Sequence, residues 1–301
     1  MVFTADQEFI RRGKYYAIQN KEELTGTLFF EFYKMFRLNN LYFPDVTLLI
    51  THYNRSSSLE RELDSFEQLG MKFGEIVVSD DGSKKEHLIN LHSLKKRYPF
   101  RLVETEENRG LGNNINKGQD TIQTPFTLYV QEDFIPQEEF PQALVNALDI
   151  LKQDQDIDIA RFYAYERFPY LTPLEGNFSK MNFKFLSPGY KKFYYYSDHP
   201  HLRRKNFFQK FGKYKEGLKG DQTEYNMMIS FISNGGKGIF YQPHQSLFHQ
   251  VNTEQEPSTM KRNFFRNSEN FFIAGVRHLY RHVKFNLDYL RYKSARKDSK
   301  F

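Results

Sequence analysis

The chain has 301 residues and a mass of 36.1 kDa, which suits one large domain or two modest ones. Hydrophobic residues make up 39% of it and charged residues 27%, a composition that excludes wholesale disorder. The absence of cysteine excludes disulfides, thiolate metal sites and cysteine nucleophiles.

The formal charge of +6 is concentrated at the C-terminal end. From Glu256 onward there are 11 Lys and Arg against 4 Asp and Glu, a net charge of +7, whereas the first 255 residues carry 32 against 33, a net charge of −1. Because the main body is nearly neutral, we do not expect nucleic acid as a partner. No run of about 18 apolar residues and no signal-peptide pattern occur, so we expect a cytoplasmic location.

From Asp45 onward, short apolar runs alternate with segments of helical length. The predicted strands cover 46–50, 75–78, 100–103 and 126–130, and the predicted helices cover 56–69, 84–97 and 111–123. Ser57 and Glu60 predict a capping box at the start of the first helix. Alternating strands and helices predict a mostly parallel, Rossmann-like sheet covered by helices, with the ligand site at the carboxyl ends of the strands.

Polar residues cluster where these predicted strands end. The four segments are Thr51-His52-Tyr53-Asn54-Arg55, Ser79-Asp80-Asp81-Gly82-Ser83, Asn108 to Gly118, and Gln131-Glu132-Asp133. Each segment by itself is also typical of a turn or a helix start. Carboxylates, amides, arginines and glycines at four successive strand ends favour a phosphorylated, hydroxyl-rich ligand.

In this order the segments resemble the family 2 glycosyltransferases, which have the GT-A fold. The corresponding family motifs are T-x-Y-N-R, V-D-D-G-S, an N-x-G segment that ends in N-x-G, and an acidic D-x-D-like motif, whose first position is Gln131 here. A later acidic helix and histidine of the family are similar to Thr223–Met228 and His249. The resemblance covers about residues 45 to 250 and implies inverting transfer of a sugar from a nucleoside diphosphate, with a bias toward UDP, to an acceptor hydroxyl of a glycan or lipid-linked glycan.

The resemblance also implies roles for individual residues. Nucleobase and ribose contacts fall on Thr51, Tyr53, Asn54, Arg55, Asp80 and Asp81, and further donor contacts fall on Arg109, Gly110 and Asn116. Asp133, helped by Glu132, is implied to bind Mg²⁺ or Mn²⁺ on the diphosphate, with His249 as a candidate further ligand.

An acceptor hydroxyl needs a carboxylate to take its proton, and we assign that role to Glu224, with Asp221 as the competing residue. Between the metal motif and this base lies the aromatic segment Tyr194–Arg204. Its rings, with Asp198 and His199, form a candidate acceptor subsite, and core packing is the competing explanation.

The predicted organisation is a helical extension over 1–44, a GT-A domain over 45–255 and a basic amphipathic helix within 256–301. In the last segment, Val276, Leu279, Val283, Leu287 and Leu290 share one stripe with Phe272. That helix either docks on the main domain or attaches the protein to an anionic membrane surface on the cytoplasmic side. The alternative to an enzyme is a non-catalytic protein that binds a nucleotide sugar or a glycan.

Overall fold

A computed structural model describes residues 41–254, residue 256 and residues 271–298 of the chain. In the last of these segments, side chains are described from 275 to 294. The predicted helical extension lies outside the described residues, apart from its last four, which begin the first strand.

Strands and helices alternate through the first half of the described chain. In chain order they are β1 (Leu41–His52), α1 (Ser56–Gln68), β2 (Met71–Asp80), α2 (Lys85–Arg97), β3 (Arg101–Val103), α3 (Leu111–Asp120), β4 (Phe126–Gln131), β5 (Phe134–Pro136) and α4 (Phe140–Gln153). The predicted strands and helices all form, with ends that differ by a few residues.

The second half contains more strands and fewer helices. It comprises β6 (Ile159–Arg161), β7 (Leu171–Pro173), β8 (Phe178–Met181), β9 (His201–Arg204), α5 (Phe207–Phe211), α6 (Gly220–Ser233), β10 (Gly238–Tyr241), β11 (Phe248–Gln250) and α7 (Phe271–Asp298). A short 3₁₀ helix covers Lys191–Phe193.

Among the described residues, nine strands form one sheet in the order β3-β2-β1-β4-β9-β6-β10-β8-β7, and β5 pairs with β11 in a separate two-stranded ribbon. The pairs β2–β3, β1–β4 and β6–β10 are parallel, whereas β9 runs antiparallel between β4 and β6. The start of β9 therefore meets the carboxyl ends of β4 and β6. The order of strands reverses between β1 and β4, which is where an open α/β sheet leaves a crevice for ligands.

Two glycines of the Asn108–Gly118 segment allow α3 to pack closely on its neighbours. A Cβ at Gly118 would lie 2.6 Å from Leu49 Cδ1 and 3.0 Å from Ser79 Cβ, and a Cβ at Gly112 would lie 2.5 Å from the carbonyl oxygen of Lys215. Any larger side chain would overpack these contacts. Gly118 thus lets α3 lie against β1 and β2 of the sheet, and Gly112 lets it approach the loop before α6.

The predicted capping box at the start of α1 does not form. Arg55 is the residue before the helix, and no side chain of α1 itself caps that end. Instead, the N–H groups of Ser57 and Ser58 donate to the two carboxylate oxygens of Glu256, at 2.9 and 2.8 Å. A carboxylate from far along the chain satisfies these donors and favourably opposes the positive end of the helix dipole.

The helix α7 packs on the main body, but not through the stripe that its apolar residues mark. Phe285 and Tyr289 are buried among aromatic side chains of the core, whereas Val276, Leu279, Val283, Leu287 and Leu290 are exposed to between 45 and 66%. The helix therefore docks through its bulkier aromatic residues, which occupy the face opposite the aliphatic stripe. Within the described residues, no helix is long and apolar enough to cross a bilayer.

Candidate active site

The polar residues after β1 and β2 form a buried hydrogen-bonded cluster. His52 Nδ1 donates to Asp80 Oδ2 over 2.7 Å, and Ser83 donates to the same carboxylate from its N–H and its hydroxyl, at 2.9 and 2.5 Å. The other ring nitrogen of His52 accepts the N–H of Arg55 at 3.2 Å. Burial acts to raise the pKa of Asp80, but the hydrogen bonds from His52 and Ser83 outweigh it and lower the pKa.

Asp81 holds the loop that precedes α3. Its two carboxylate oxygens accept the N–H groups of Arg109 and Gly110, both at 2.9 Å. Burial raises the pKa of Asp81, and these two hydrogen bonds oppose the rise. The φ angle of Gly110 is 85°, in the left-handed region that favours glycine, so this residue permits the turn into α3.

The other predicted donor residues lie along the same edge of the sheet. Thr51 is buried with its hydroxyl 3.1 Å from the hydroxyl of Tyr129, and Tyr53 is partly exposed. Asn54 accepts the N–H of Lys84 at 2.7 Å and so joins the loops after β1 and β2. The amide of Asn116 is engaged by Tyr214 and Glu216 at 2.8 to 3.0 Å, so a donor contact for this residue stays a prediction.

The end of β1 is joined to the acidic motif after β4 through Arg55. Its Nη1 lies 3.4 Å from Asp133 Oδ2 and 3.5 Å from Glu132 Oε1, and all three side chains are largely buried. Its Nη2 donates to Asn252 Oδ1 at 2.9 Å and to the carbonyl oxygen of Glu256 at 3.2 Å. The guanidinium that the sequence assigned to the nucleobase and ribose therefore sits against the carboxylates assigned to the metal and diphosphate.

Glu62 on α1 is a buried carboxyl that sequence reasoning missed. Neither of its oxygens has a hydrogen bond, and burial followed by the charges of Glu132 and Asp133 raises its pKa well above the ordinary range. Burial and the charge of Asp133 likewise raise the pKa of Glu132, to about 8. A signal was present in the sequence, because Glu62 occupies the apolar stripe of α1 with Leu59 and Phe66.

Asp133 fits a divalent cation as a single protein ligand. Its Oδ2 accepts Gln250 Nε2 at 2.9 Å, whereas its Oδ1 is buried without a hydrogen bond. The cations Mg²⁺ and Mn²⁺ prefer oxygen, and Mg²⁺ is commonly held by one or two carboxylates together with substrate phosphates. Within the described part of the chain, no group of three or more His, Asp or Glu side chains could hold a metal ion, and His249 is exposed on β11 opposite Ile135.

A second acidic group lies on the other side of the end of β4. Gln131 Nε2 donates to the carbonyl oxygen of Asp198 at 3.5 Å, and the N–H of Asp198 donates to Glu224 Oε1 at 3.3 Å. The carboxyl of Asp198 is buried with no hydrogen bond within 3.5 Å to either oxygen. Burial, then the charge of Glu224, raises its pKa well above the ordinary range.

Arg161 at the end of β6 supplies a buried cation beside this pair. It donates to the carbonyl oxygen of Tyr194 at 2.7 Å and to Ser197 Oγ at 2.6 Å. Burial lowers its pKa to about 10, and the charge of Glu224 opposes that fall. Asp221 lies one helical turn before Glu224 and is partly exposed.

The aromatic segment before β9 divides between the core and the site. Tyr195 and Tyr196 are buried in the hydrophobic core, so core packing explains them. His199 is partly exposed and packs edge-on against Tyr163 and Tyr165, with ring centroids 5.3 and 4.6 Å away.

Tyr165 connects this aromatic group to the acidic motif. Its hydroxyl donates to Gln250 Oε1 at 2.7 Å, and the amide nitrogen of Gln250 in turn contacts Asp133. Nearly half of Tyr165 is exposed. Tyr163 and Tyr165 were not singled out from the sequence, because a lone Tyr-x-Tyr pattern does not distinguish a surface ring from a core residue.

Residues 47–212 match the family model described as Glycosyl transferase family 2, and the chain therefore belongs to this family. Both the family and the α/β fold that the motifs predicted are confirmed, as is the class of enzyme, a glycosyltransferase.

Among curated proteins, the poly-beta-1,6-N-acetyl-D-glucosamine synthase of Staphylococcus aureus (strain COL) is 25% identical over 130 residues, 40% of this chain and 32% of the relative. The synthase of Staphylococcus epidermidis is 26% identical over 96 residues, 32% of this chain and 23% of the relative. The matches thus span about a third or less of these relatives.

Among solved structures, S. aureus TarS 1–349 in complex with UDP-GlcNAc is similar, with a TM-score of 0.54 at 16% identity over 80% of this chain and 73% of that chain. Its complex with UDP gives a TM-score of 0.51 at 17% identity over 70% and 61%. At these identities the likeness supports the fold alone.

Proposed function

We propose that this glycosyltransferase transfers a sugar from a UDP-sugar to an acceptor hydroxyl, with inversion at the anomeric carbon and with a divalent cation. The observation that carries the proposal is the arrangement around the end of β4. Asp133 and Arg55 lie on one side, and Asp198 and Glu224 lie on the other. With a cation and a metal-binding carboxylate on one side of the strand end and a pair of carboxyls on the other, such a site can hold a leaving diphosphate and deprotonate an acceptor.

The nucleotide part of the donor is proposed to lie at the ends of β1 and β2. The carboxylate of Asp80 is hydrogen-bonded to His52 and Ser83, and that of Asp81 to the N–H groups of Arg109 and Gly110. Both residues therefore position the loops that form the walls of the nucleotide subsite. The partly exposed Tyr53 and the half-exposed Arg109 are the residues best placed to touch the donor itself.

Charge that develops on the departing diphosphate must be offset. Arg55 is a permanent cation at this position, and the free Oδ1 of Asp133 would hold Mg²⁺ or Mn²⁺. The cation would supply Lewis-acid stabilisation of the phosphate oxygens. Burial of Arg55 and both carboxylates strengthens these electrostatic interactions relative to water.

Glu224 is proposed as the general base. It accepts the proton of the acceptor hydroxyl as the acceptor oxygen bonds to the anomeric carbon and the bond from that carbon to the diphosphate oxygen breaks. One direct displacement inverts the anomeric configuration. Burial and the charge of Glu224 raise the pKa of Asp198, which favours the neutral form of Asp198 and negative charge on Glu224, and the buried Arg161 stabilises that charge.

The acceptor is proposed to be a glycan or a lipid-linked glycan. The exposed ring of Tyr165 and the edge of His199 offer apolar and polar contacts to a sugar ring next to the acidic motif. The curated relatives are named as synthases of an N-acetylglucosamine polymer, which favours a role in cell-surface polysaccharide synthesis.

A donor screen tests this proposal. The purified chain is incubated with UDP-GlcNAc, other UDP-sugars and GDP-mannose, with Mn²⁺ or with EDTA, and release of the nucleoside diphosphate is measured. Mn²⁺-dependent release from a UDP-sugar is the expected result. Binding of UDP without turnover of any donor would instead identify the alternative, a non-catalytic nucleotide-sugar protein.

A further inference from the structure

One side of α7 presents a continuous row of apolar side chains to solvent. We call this the outer row, and its members, with their exposed fractions, are Val276 (60%), Leu279 (66%), Tyr280 (63%), Val283 (49%), Leu287 (46%) and Leu290 (45%). Steps of three and four residues place all of them on one face, over a length of about 21 Å at 1.5 Å per residue. Single exposed apolar residues are common, but a contiguous row marks an interaction surface.

The opposite face of α7 is fixed to the protein, so the outer row has a defined orientation. Tyr289 stacks on Phe185 with ring centroids 5.2 Å apart, and Phe285 lies edge-on to Phe193 at 5.7 Å. Asp288 accepts the hydroxyl of Tyr225 at 2.7 Å. A helix held in this way cannot rotate to bury its outer row against its own domain.

Positive charge accompanies the outer row. Between residues 275 and 294 there are five Arg and Lys residues and one Asp. Arg291, 78% exposed, is one position from Leu290, and Lys293 is also exposed, whereas Lys284 pairs with Asp288 at 2.5 Å. The nearby loop that supplies Phe185 also carries Leu186, which is 93% exposed, and Lys184.

We propose that the outer row and its flanking basic residues bind the surface of an anionic lipid membrane. Apolar side chains on one face with Lys and Arg beside them are complementary to acyl chains beneath negatively charged headgroups. A second copy of the chain would have to bring the same excess of positive charge to the contact, which disfavours it as the occupant. Such a helix lies in the interface rather than spanning it.

Membrane binding by this surface is separate from the proposed transfer reaction. It would determine where in the cell the enzyme encounters its acceptor. A lipid-linked or membrane-borne glycan is reached more often by an enzyme that is held at the same surface. Lipid binding itself requires neither donor nor acceptor, so it can be measured whether or not the chain shows transferase activity.

The test is sedimentation of the full chain with two kinds of vesicle, one of phosphatidylcholine alone and one that also contains about a third phosphatidylglycerol. On the anionic vesicles, each basic residue near the surface is expected to strengthen binding about fivefold. The apolar variant is Leu279→Ser with Val283→Ser and Leu287→Ser, and the charge variant is Arg291→Glu. Ile89→Ser is the matched control, because Ile89 is 59% exposed on a different helix, α2. Removal of α7 is unsuitable, since it would uncover Phe193 and other core rings.

We expect the unsubstituted chain and Ile89→Ser to sediment with anionic vesicles and to be released by salt. The apolar variant should lose most of this binding with unchanged thermal unfolding, and Arg291→Glu should weaken it by about fivefold or more. Absence of binding to anionic vesicles would overturn the proposal. So would equal binding by the apolar variant, or a dimer in sedimentation equilibrium that dissociates in that variant.

Discussion

The guanidinium of Arg55 lies 3.4 Å from the carboxylate of Asp133, although the two residues follow different strands and are 78 positions apart. This ion pair joins the carboxyl ends of β1 and β4 at the point where the strand order reverses. It places a permanent cation beside the one carboxylate oxygen of the acidic motif that is buried without a hydrogen bond. The diphosphate region proposed for this protein is built around that pair.

Asp133→Asn should abolish most transfer while the protein stays folded. The amide is a poor ligand for Mg²⁺ or Mn²⁺, and a lost metal contact removes several kcal/mol of transition-state stabilisation, a loss of at least about a hundredfold in kcat. Rates are measured with saturating Mn²⁺, and UDP affinity is titrated with and without the metal. Asp149→Asn, at an exposed position on α4, is the matched control. Full activity in Asp133→Asn would refute the metal assignment.

Glu224→Gln should lower kcat by about 10²- to 10⁴-fold with little change in the KM for the donor, because it removes the proton acceptor and leaves the nucleotide contacts intact. Asp221→Asn should leave kcat close to that of the unsubstituted chain. Steady-state kinetics of both variants decide between the two carboxylates. The reverse pattern would assign the base to Asp221.

Asp80→Asn should destabilise the fold by about 1–3 kcal/mol at neutral pH, because a buried hydrogen-bonded carboxylate is removed from His52 and Ser83. The pKa of Asp80 is lowered in the folded state, so its contribution is complete above the unfolded value of about 3.9 and disappears as the pH falls through the folded pKa. Urea unfolding at pH 7 and pH 3 should show a smaller difference between the two proteins at pH 3. A difference that grows toward acid would contradict the assignment.

Gly118→Ala should destabilise the protein by about 1–3 kcal/mol, since the added methyl group would meet Leu49 and Ser79. Gly275→Ala is the matched control in another helix, because no atom lies within 4 Å of its added Cβ. Removing a helical glycine there should be neutral or stabilising by up to about 1 kcal/mol. Thermal unfolding of both variants measures the contrast, and equal effects would argue against close packing of α3.

Much of the fold could be predicted from local patterns. The apolar runs of β1, β2 and β4 and the alternating helices identified a mostly parallel sheet, and the polar loops predicted which edge of it carries the candidate site. The start of α1 was predicted at the correct residue but its capping was not, because the capping carboxylate belongs to Glu256, almost 200 residues later in the chain. Local signals report only on neighbours in sequence.

The sequence predicted which residues form the candidate site but not which of them contact one another. The motifs predicted Asp80, Asp133 and Glu224 as site residues, whereas the contact of Arg55 with Asp133 and the burial of Glu62 depend on how α1 packs against β5. The aromatic segment before β9 was assigned as a whole, and it divides because successive side chains face either the core or the site.

By itself, the sequence determined the family, the alternating architecture and the set of polar residues at the strand ends, because periodicity and motif order are local properties of the chain. The tertiary structure decided which carboxylates are buried together, which residue caps α1 and which face of α7 stays exposed. Those outcomes depend on competition between distant side chains for the same space. In α7, the aromatic rings of Phe285 and Tyr289 pack into the core, and the aliphatic row is exposed to solvent.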